Sequence, residues 1–165
     1  MTKSVFGSSP WPSWPPSPAD GTATYTGTFS LDKVADRVCI DLGRMDDIAE
    51  VSVNGKSAGV QWYPPFRADV TDLVRDGENT LEIAVTDNWA NRLIGDEQHA
   101  PDFEWGTDRG EAMGRAMKAF PDWFLKGEPR PEKGRKTFNI WYYYRKDSPL
   151  QPAGLVGPVQ LMTYE

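Results

Sequence analysis

The stretch AEVSVNGKSAGV, residues 49–60, carries the clearest structural signal in the sequence. Ala49, Val51 and Val53 alternate with polar residues, which is typical of a β-strand with one buried face. The dipeptide Asn54-Gly55 follows at once, and Asn-Gly between two such runs is the strongest short signal for a two-residue hairpin turn. The stretch therefore predicts a β-hairpin whose valines face the core.

Alternation of the same kind extends outward on both sides of this hairpin. Residues 22–31 (TATYTGTFSL) place the threonines and Ser30 on one face, and on the other Ala23, Tyr25, Gly27, Phe29 and Leu31. Further inward-facing sets are Val38, Ile40 and Leu42; Leu81, Ile83 and Val85; and Val159, Leu161 and Thr163. Pro64-Pro65 excludes a regular central strand, and DVTDLV (69–74) suits a single helical turn. Six to eight strands without a β-α-β rhythm predict an all-β, two-sheet antiparallel jelly-roll sandwich.

The composition indicates a single domain with many turns. The chain has 165 residues with 15 Gly, 14 Pro and 7 Trp, and its net charge is −6. An acidic chain without a basic stripe argues against nucleic-acid binding. No apolar run is long enough to span a bilayer, and residues 1–20 lack the apolar core of a signal peptide. We therefore expect a soluble protein without a nucleic-acid or membrane partner.

Two regions depart from the alternation. Residues 1–20 are rich in Pro and hold Trp11 and Trp14, which predicts an N-terminal arm or linker ahead of a domain at 21–165. Residues 88–136 are predicted to be a long insertion that carries its own structure. Within the insertion, RGEAMGRAMKAF (109–120) predicts a short helix, because its apolar residues fall on one helical stripe.

Four longer stretches carry a family resemblance: GTATYTGTFSL (21–31), CIDLGRMDDIAEVSVNGKSAGV (39–60), PPFRADVTDLVRDGENTLEIAVTDNWANRLIGD (64–96) and SPLQPAGLVGPVQL (148–161). They resemble the galactose-binding-like β-sandwich of glycoside hydrolases, and the first three are similar to the family 2 sugar-binding domain. With PDWFLKGEPRP (121–131) and TFNIWYYYRKDSPLQPAGLVGPVQL (137–161), the set resembles the C-terminal domain of family 106 α-L-rhamnosidase-like proteins. The resemblance covers roughly residues 13–163.

The resemblance implies a non-catalytic carbohydrate-binding or accessory module whose parent protein is a glycoside hydrolase. In such enzymes the chemistry belongs to a neighbouring (β/α) barrel, which needs about 250 residues of its own. The implied partners are therefore a carbohydrate and a glycosidase barrel. Two alternatives stay open: a docking domain that buttresses the barrel without binding free sugar, and a free-standing glycosidase.

Candidate sugar-binding residues come from the insertion and from one loop. A sugar offers an apolar C–H face and a ring of hydroxyls, so its site needs aromatic rings beside planar polar groups. The stretches TDNWANRLIGDEQHAPDFEW and QWYPPFR provide this mixture. The candidates are Trp89, Asn91, Arg92, Asp96, Phe103 and Trp105 in the first stretch, and Trp62, Tyr63 and Arg67 in the second. An alternative is that the Trp, Asn and Arg of NWANR hold the loop in place or contact a barrel, rather than bind a sugar.

Other chemistry has less support. A glycosidase carboxylate pair has candidates in Asp96, Glu97, Asp102 and Glu104, although acidic loop residues are most simply solvated. Calcium prefers several oxygen ligands, and Asp46 with Asp47, or Asp69 with Asp72, are candidates for them; the resemblance to this type of sandwich implies that such a calcium would be structural. One Cys and one His argue against zinc, and no other cofactor or metal is predicted.

The aromatic row WYYY lies in KTFNIWYYYRK (136–146), which is predicted to be a long strand. Neighbouring residues of a strand point to opposite faces, so the four rings cannot form one platform. The face with Phe138, Ile140, Tyr142 and Tyr144 is predicted to be core. The face with Asn139, Trp141 and Tyr143 is the candidate for exposure, and we expect the 88–136 segment to cover it.

Overall fold

The computed structural model describes residues 2–4, 21–109, 115–131 and 134–165. The predicted N-terminal arm lies almost entirely outside these residues, as does the first part of the predicted helix at 109–120. The described residues form two compact units. Unit 1 contains residues 2–4, 21–88 and 152–165, and unit 2 lies within residues 89–151.

Unit 1 is built from antiparallel strands. They are β1 (Thr2–Ser4), β2 (Thr22–Leu31), β3 (Arg37–Asp41), β4 (Arg44–Met45), β5 (Ile48–Val53), β6 (Lys56–Gln61), β7 (Arg67–Asp69), β8 (Gly77–Thr86), β11 (Leu155–Gly157) and β12 (Gln160–Tyr164). One four-stranded sheet has the order β1-β12-β3-β7 and the other the order β2-β8-β5-β6, while β4 pairs with β11. The predicted two-sheet antiparallel sandwich is confirmed.

The predicted hairpin and its register are also confirmed. Strands β5 and β6 pair with Val53 opposite Lys56, and both turn residues, Asn54 (φ 52°) and Gly55 (φ 75°), have positive φ. That combination is what a type I′ hairpin turn requires. Strand β8 pairs with β2 on one side and β5 on the other, so Ile83 lies opposite both Tyr25 and Val51.

The core of unit 1 is mostly aliphatic and comes from the inward residues of both sheets. Its fully buried side chains include Val38, Ile40, Leu42, Val51, Val53, Leu81 and Ile83. Burying each of these side chains stabilises the fold by about 1.5–3 kcal/mol in transfer terms. The outward residues of β2 are its threonines and Ser30, all exposed. Residues that alternate in the sequence of β2 therefore lie on its buried and exposed faces.

Two details fix the ends of these strands. Gly43 has φ +66° and its α-carbon faces Gly157 so closely that an added β-carbon would lie 2.6 Å from the Gly157 carbonyl carbon. Only glycine fits such an approach. Near the start of β8, the buried Asn79 accepts the Arg75 N–H (2.9 Å) and donates to the Arg75 and Gly77 carbonyls (2.8 and 3.0 Å). This side chain holds the turn that leads into the central strand.

Unit 2 has little regular structure. Its elements are α1 (Ala90–Asp96), β9 (Arg115–Ala116), α2 (Asp122–Leu125) and β10 (Trp141–Tyr142). The insertion contains short helices as predicted, but not at the predicted place, because Arg115 and Ala116 form a strand that pairs with β10. Among the described residues, no helix has the length and apolar character needed to cross a membrane.

The predicted long strand at 136–146 is wrong, since only Trp141 and Tyr142 are paired. The Asn139 side chain accepts the Trp141 N–H (3.0 Å), and Tyr143 N–H turns back to the Trp141 carbonyl (3.0 Å). These local bonds use backbone groups that a longer ladder would need. Ile140 is exposed rather than core, and Trp141 and Tyr143 are exposed rather than covered. Phe138, Tyr142 and Tyr144, which were also predicted to be core, are half-buried.

Candidate functional site

The loop between β6 and β7 presents two of the predicted sugar-binding aromatics to solvent. Trp62 is 68% exposed and Tyr63 is 60% exposed. Their ring centroids lie 4.8 Å apart at an interplanar angle of 64°, so they meet edge to face. The third predicted residue of this loop region, Arg67, lies on β7 and donates to Asp41 across the strand pair (2.6 Å).

The predicted residues at the start of unit 2 separate into an exposed one and a buried one. Trp89 is 58% exposed at the start of α1. Asn91 is buried, donates to the Gln151 carbonyl (2.9 Å) and accepts the Gln151 N–H (2.7 Å). The side-chain amide of Asn91 therefore satisfies both backbone groups of Gln151, the last residue of unit 2, and holds it in place.

Asp96 is fully buried at the end of α1. One carboxylate oxygen accepts the Thr137 N–H (2.6 Å), the Thr137 hydroxyl (2.7 Å) and the Lys136 N–H (3.0 Å). Arg92, four residues earlier, lies 3.7 Å from the other oxygen. Burial alone would raise the pKa of Asp96, but the three hydrogen bonds and the charge of Arg92 together hold that pKa below its ordinary value. Asp96 is therefore an ionised anchor within unit 2.

The remaining predicted aromatic, Trp105, belongs to a ring cluster inside unit 2. It lies 4.7 Å from Phe103 and 5.1 Å from Tyr142, measured between ring centroids. Phe103 in turn meets Phe138 edge to face at 5.7 Å. Rings at these distances contribute packing energy beyond the area that they bury. The structure thus brings Trp105 together with the aromatic row rather than with Trp89.

One cavity was not anticipated from the sequence. It measures about 390 Å³ and is lined by Tyr142, Tyr143, Tyr144, Arg145, Ser148 and Gln151, among others. The aromatic row gave a signal for it, but strand alternation assigned two of these tyrosines to the core. The turn residues Asp147-Ser148-Pro149, two positions beyond the row, were the sequence feature that could have shown that the chain folds back here.

The candidate calcium ligands do not converge on a metal site. Both carboxylate oxygens of Asp47 are engaged, one by the backbone N–H of Asn88 and its side-chain amide (both 3.3 Å), the other by Gly154 N–H. Asp69 accepts from Arg37 (2.9 Å) and from the Thr71 hydroxyl (2.6 Å). Across residues 21–109, 115–131 and 134–165, no cluster of three or more His, Cys, Asp or Glu side chains could hold a metal ion.

The described strands define unit 1 as an antiparallel β-sandwich, and comparison with known families identifies its class. Residues 18–129 match the family model described as "Glycosyl hydrolase 2 galactose-binding domain-like", which is more than half of the chain. The chain therefore belongs to this family, and it is a domain of the glycoside hydrolase family 2 type.

Two relatives extend the comparison. A protein from Formosa agariphila named "Putative beta-glucuronidase" is 43% identical over 145 residues, which is 86% of this chain and 12% of that protein. The solved structure of a rhamnosidase from Novosphingobium sp. PP1Y is 34% identical and superposes with a TM-score of 0.62 over 87% of this chain and 11% of that chain. The resemblance to family 2 domains and to rhamnosidase-like proteins is thus confirmed. The chain spans only about an eighth or less of either relative.

Proposed function

We propose that the chain is a non-catalytic carbohydrate-binding module of a glycoside hydrolase, with a catalytic barrel as its neighbour. The observation that carries the proposal is the exposed pair Trp62 and Tyr63 on one loop of the sandwich. Large rings that stay exposed beside one another mark a surface for a partner more often than isolated ones do. Membership of a galactose-binding-like family supports a sugar as that partner.

The geometry of the pair suits a single sugar ring. Because the two planes meet at 64°, a pyranose stacks on one ring face and meets the edge of the other ring. The Tyr63 hydroxyl both donates and accepts hydrogen bonds, so it complements a sugar hydroxyl. Trp89 is the second exposed platform and belongs to unit 2.

The carboxylates of the insertion support a non-catalytic role. Asp102 accepts two hydrogen bonds from Arg130 (3.2 and 2.7 Å), and Glu97 accepts one from Arg135. Glu104 pairs with Lys118 at 3.0 Å. Asp96 is buried and Asp102 and Glu97 are nearly so, whereas a glycosidase pair must face the bond that it cleaves; of the four candidate acids, Glu104 alone is exposed.

Isothermal titration of the intact chain with rhamnose-, galactose- and uronate-containing oligosaccharides tests the proposal. We expect saturable binding whose affinity Trp62→Ala lowers at least tenfold. The control is Val60→Ala at a nearby exposed residue, which should leave the affinity unchanged. Silence across the panel would overturn the binding function. Turnover of aryl glycosides by the chain would overturn the non-catalytic part.

One observation favours the alternative of a docking domain that binds no free sugar. Phe120 stacks on Phe124 at 5.0 Å, Phe124 stacks on Phe138 at 5.6 Å, and Phe120, Phe124 and Leu125 are exposed. Such an apolar ladder suits contact with a second protein surface. If docking is the function, the sugar panel stays silent and Leu125→Asp lowers the affinity for a separately produced barrel of the parent enzyme.

A further inference from the structure

The cavity of unit 2 combines aromatic rings with polar groups that are free to act. Tyr142, Tyr143 and Tyr144 line it together with Arg145, and none of the lining residues that the structure describes is acidic. Among the described residues, no hydrogen bond engages the hydroxyls of these three tyrosines. A volume of about 390 Å³ lies in the range of small-molecule sites.

The charged side chains that the structure describes beside the cavity are two arginines and one aspartate, although the whole chain is acidic. Arg115 and Arg145 each reach the same oxygen of Asp108 at 3.2 Å, so two guanidinium groups share one carboxylate. Both guanidinium carbons also lie near the Tyr142 ring centroid, at 5.4 and 5.5 Å. Counted over these three side chains of the described residues, the formal charge is +1, and both guanidinium groups lie beside the Tyr142 ring that lines the cavity.

Arg145 is the cation that lines the cavity. Within the described part of the chain its guanidinium makes one hydrogen bond, to Asp108, and its side chain stays 38% exposed. The rest of its planar fork of N–H groups is therefore available. A planar fork of this kind matches the two oxygens of a carboxylate better than it matches a single hydroxyl.

Hydrogen bonds hold part of the cavity lining in place without a ligand. Arg145 N–H donates to the Ser148 hydroxyl (2.9 Å), and Ser148 N–H donates to the Arg145 carbonyl (3.0 Å), which closes the turn. Gln151, another lining residue, is bonded twice to the buried Asn91. A preformed cavity loses less conformational entropy on binding.

We infer that this cavity is a second binding site, which takes an acidic sugar residue with its carboxylate on Arg145 and its ring against the tyrosines. The tyrosine hydroxyls, Ser148 and Gln151 supply partners for the sugar hydroxyls. The inference rests on the proposed carbohydrate-binding function but concerns a different place in the chain from Trp62.

Titration of the intact chain with methyl β-D-glucuronide and methyl β-D-glucoside, at matched ionic strength, tests the site. The two probes differ only in the carboxylate, and we expect the glucuronide to bind at least tenfold more tightly. Arg145→Gln is expected to remove that preference, and Tyr143→Ala to weaken both probes. Lys146→Gln, which removes an exposed cation one residue away, is the matched control and leaves the preference intact.

Several outcomes decide the matter. Equal binding of both probes, or glucuronide binding that survives both Arg145→Gln and Tyr143→Ala, overturns the acidic-sugar site. Competition by acetate as strong as by the glucuronide also overturns it, because the sugar ring would then contribute nothing. Should Arg145→Gln fail to fold, Arg145→Lys keeps the charge without the fork and must still lower the preference. Trp62→Ala separates a failure of this site from a failure of the proposed function. If the glucuronide preference is absent but Trp62→Ala still abolishes binding of neutral sugars, only the cavity site fails.

Discussion

Unit 1 and unit 2 bury different kinds of side chain. The interior of unit 1 is aliphatic, with Ile40, Val51 and Ile83 fully buried between antiparallel sheets. The interior of unit 2 holds aromatic rings and charged groups, such as the Asp102 carboxylate that accepts two hydrogen bonds from Arg130. Unit 1 has long paired strands, whereas the paired strands of unit 2 have two residues each.

The difference teaches how each unit is specified. Apolar burial depends on area and tolerates changes of shape, so alternation alone is enough to direct a sandwich. Buried charges depend on particular partners, because a carboxylate left without them is strongly destabilising. Unit 2 should therefore be sensitive to single polar substitutions and to pH, and unit 1 to cavities.

The largest effect is expected for Ile83→Ala in unit 1. Removing a fully buried side chain leaves a cavity and costs about 2–5 kcal/mol. Cys39, the one cysteine of the chain, is buried in unit 1, and burial raises the pKa of its thiol, so its modification reports opening of that unit. Ile83→Ala should speed Cys39 modification, while Thr28→Ala on the exposed face should not. A neutral Ile83→Ala would show that the register of β8 is wrong.

A somewhat smaller loss is expected for Asp96→Asn in unit 2. The amide keeps the shape but removes the charge to which Thr137 and Lys136 donate, at a cost of about 2–3 kcal/mol. Urea unfolding followed by tryptophan fluorescence measures it, because Trp89, Trp105, Trp123 and Trp141 lie in unit 2. The exposed Asp147→Asn is the matched control. Equal stability of both variants would contradict the anchor role.

The lowered pKa of Asp96 predicts acid sensitivity of unit 2. A carboxylate whose folded pKa lies below its ordinary value of 3.8 stabilises the fold above that pH, and the contribution disappears as pH falls through the folded pKa. Asp69 in unit 1 also has a lowered pKa, because of Thr71 and Arg37, but it is exposed and screened by solvent. The drop in unit 2 stability between pH 6 and pH 3 should therefore shrink in Asp96→Asn; an unchanged drop would contradict the prediction.

The smallest effect on stability is expected for Trp89→Ala. Because the ring is exposed, the change should stay within about 0.5 kcal/mol, whereas Trp105→Ala removes a ring from the cluster with Phe103 and should cost more. Thermal unfolding of both variants provides the comparison. A large fall in melting temperature for Trp89→Ala would place this ring in the core and exclude it as a platform.

Much of unit 1 could be predicted from the sequence because its rules are local. Val51 and Val53 alternate with polar residues, which specifies the buried face of β5, and Asn54-Gly55 specifies the turn that follows; both signals lie within a few residues. Unit 2 could not be predicted in this way. The bond between Asp96 and Thr137 joins residues 41 positions apart, and no local pattern indicates such a partner.

The candidate site was predictable only in part, for the same reason. Composition of the loops pointed to Trp62, Tyr63 and Trp89, which are exposed. It could not separate them from Asn91 and Asp96, which share the same stretch but are buried with partners of their own. The aromatic row gave the opposite error, since alternation predicted a strand where the chain turns back to form a cavity.

The central claim is that exposed loop aromatics bind the sugar while the buried groups of unit 2 hold the fold. Nuclear magnetic resonance of the seven tryptophan indole N–H groups, assigned with single Trp→Phe variants, tests it directly. On titration with the tightest-binding neutral oligosaccharide of the panel, which the proposed acidic-sugar cavity does not prefer, we predict saturable shifts of the Trp62 and Trp89 signals and unchanged Trp105 and Trp123 signals. Shifts confined to Trp105 and Trp123, or no shift of any indole, would contradict the claim.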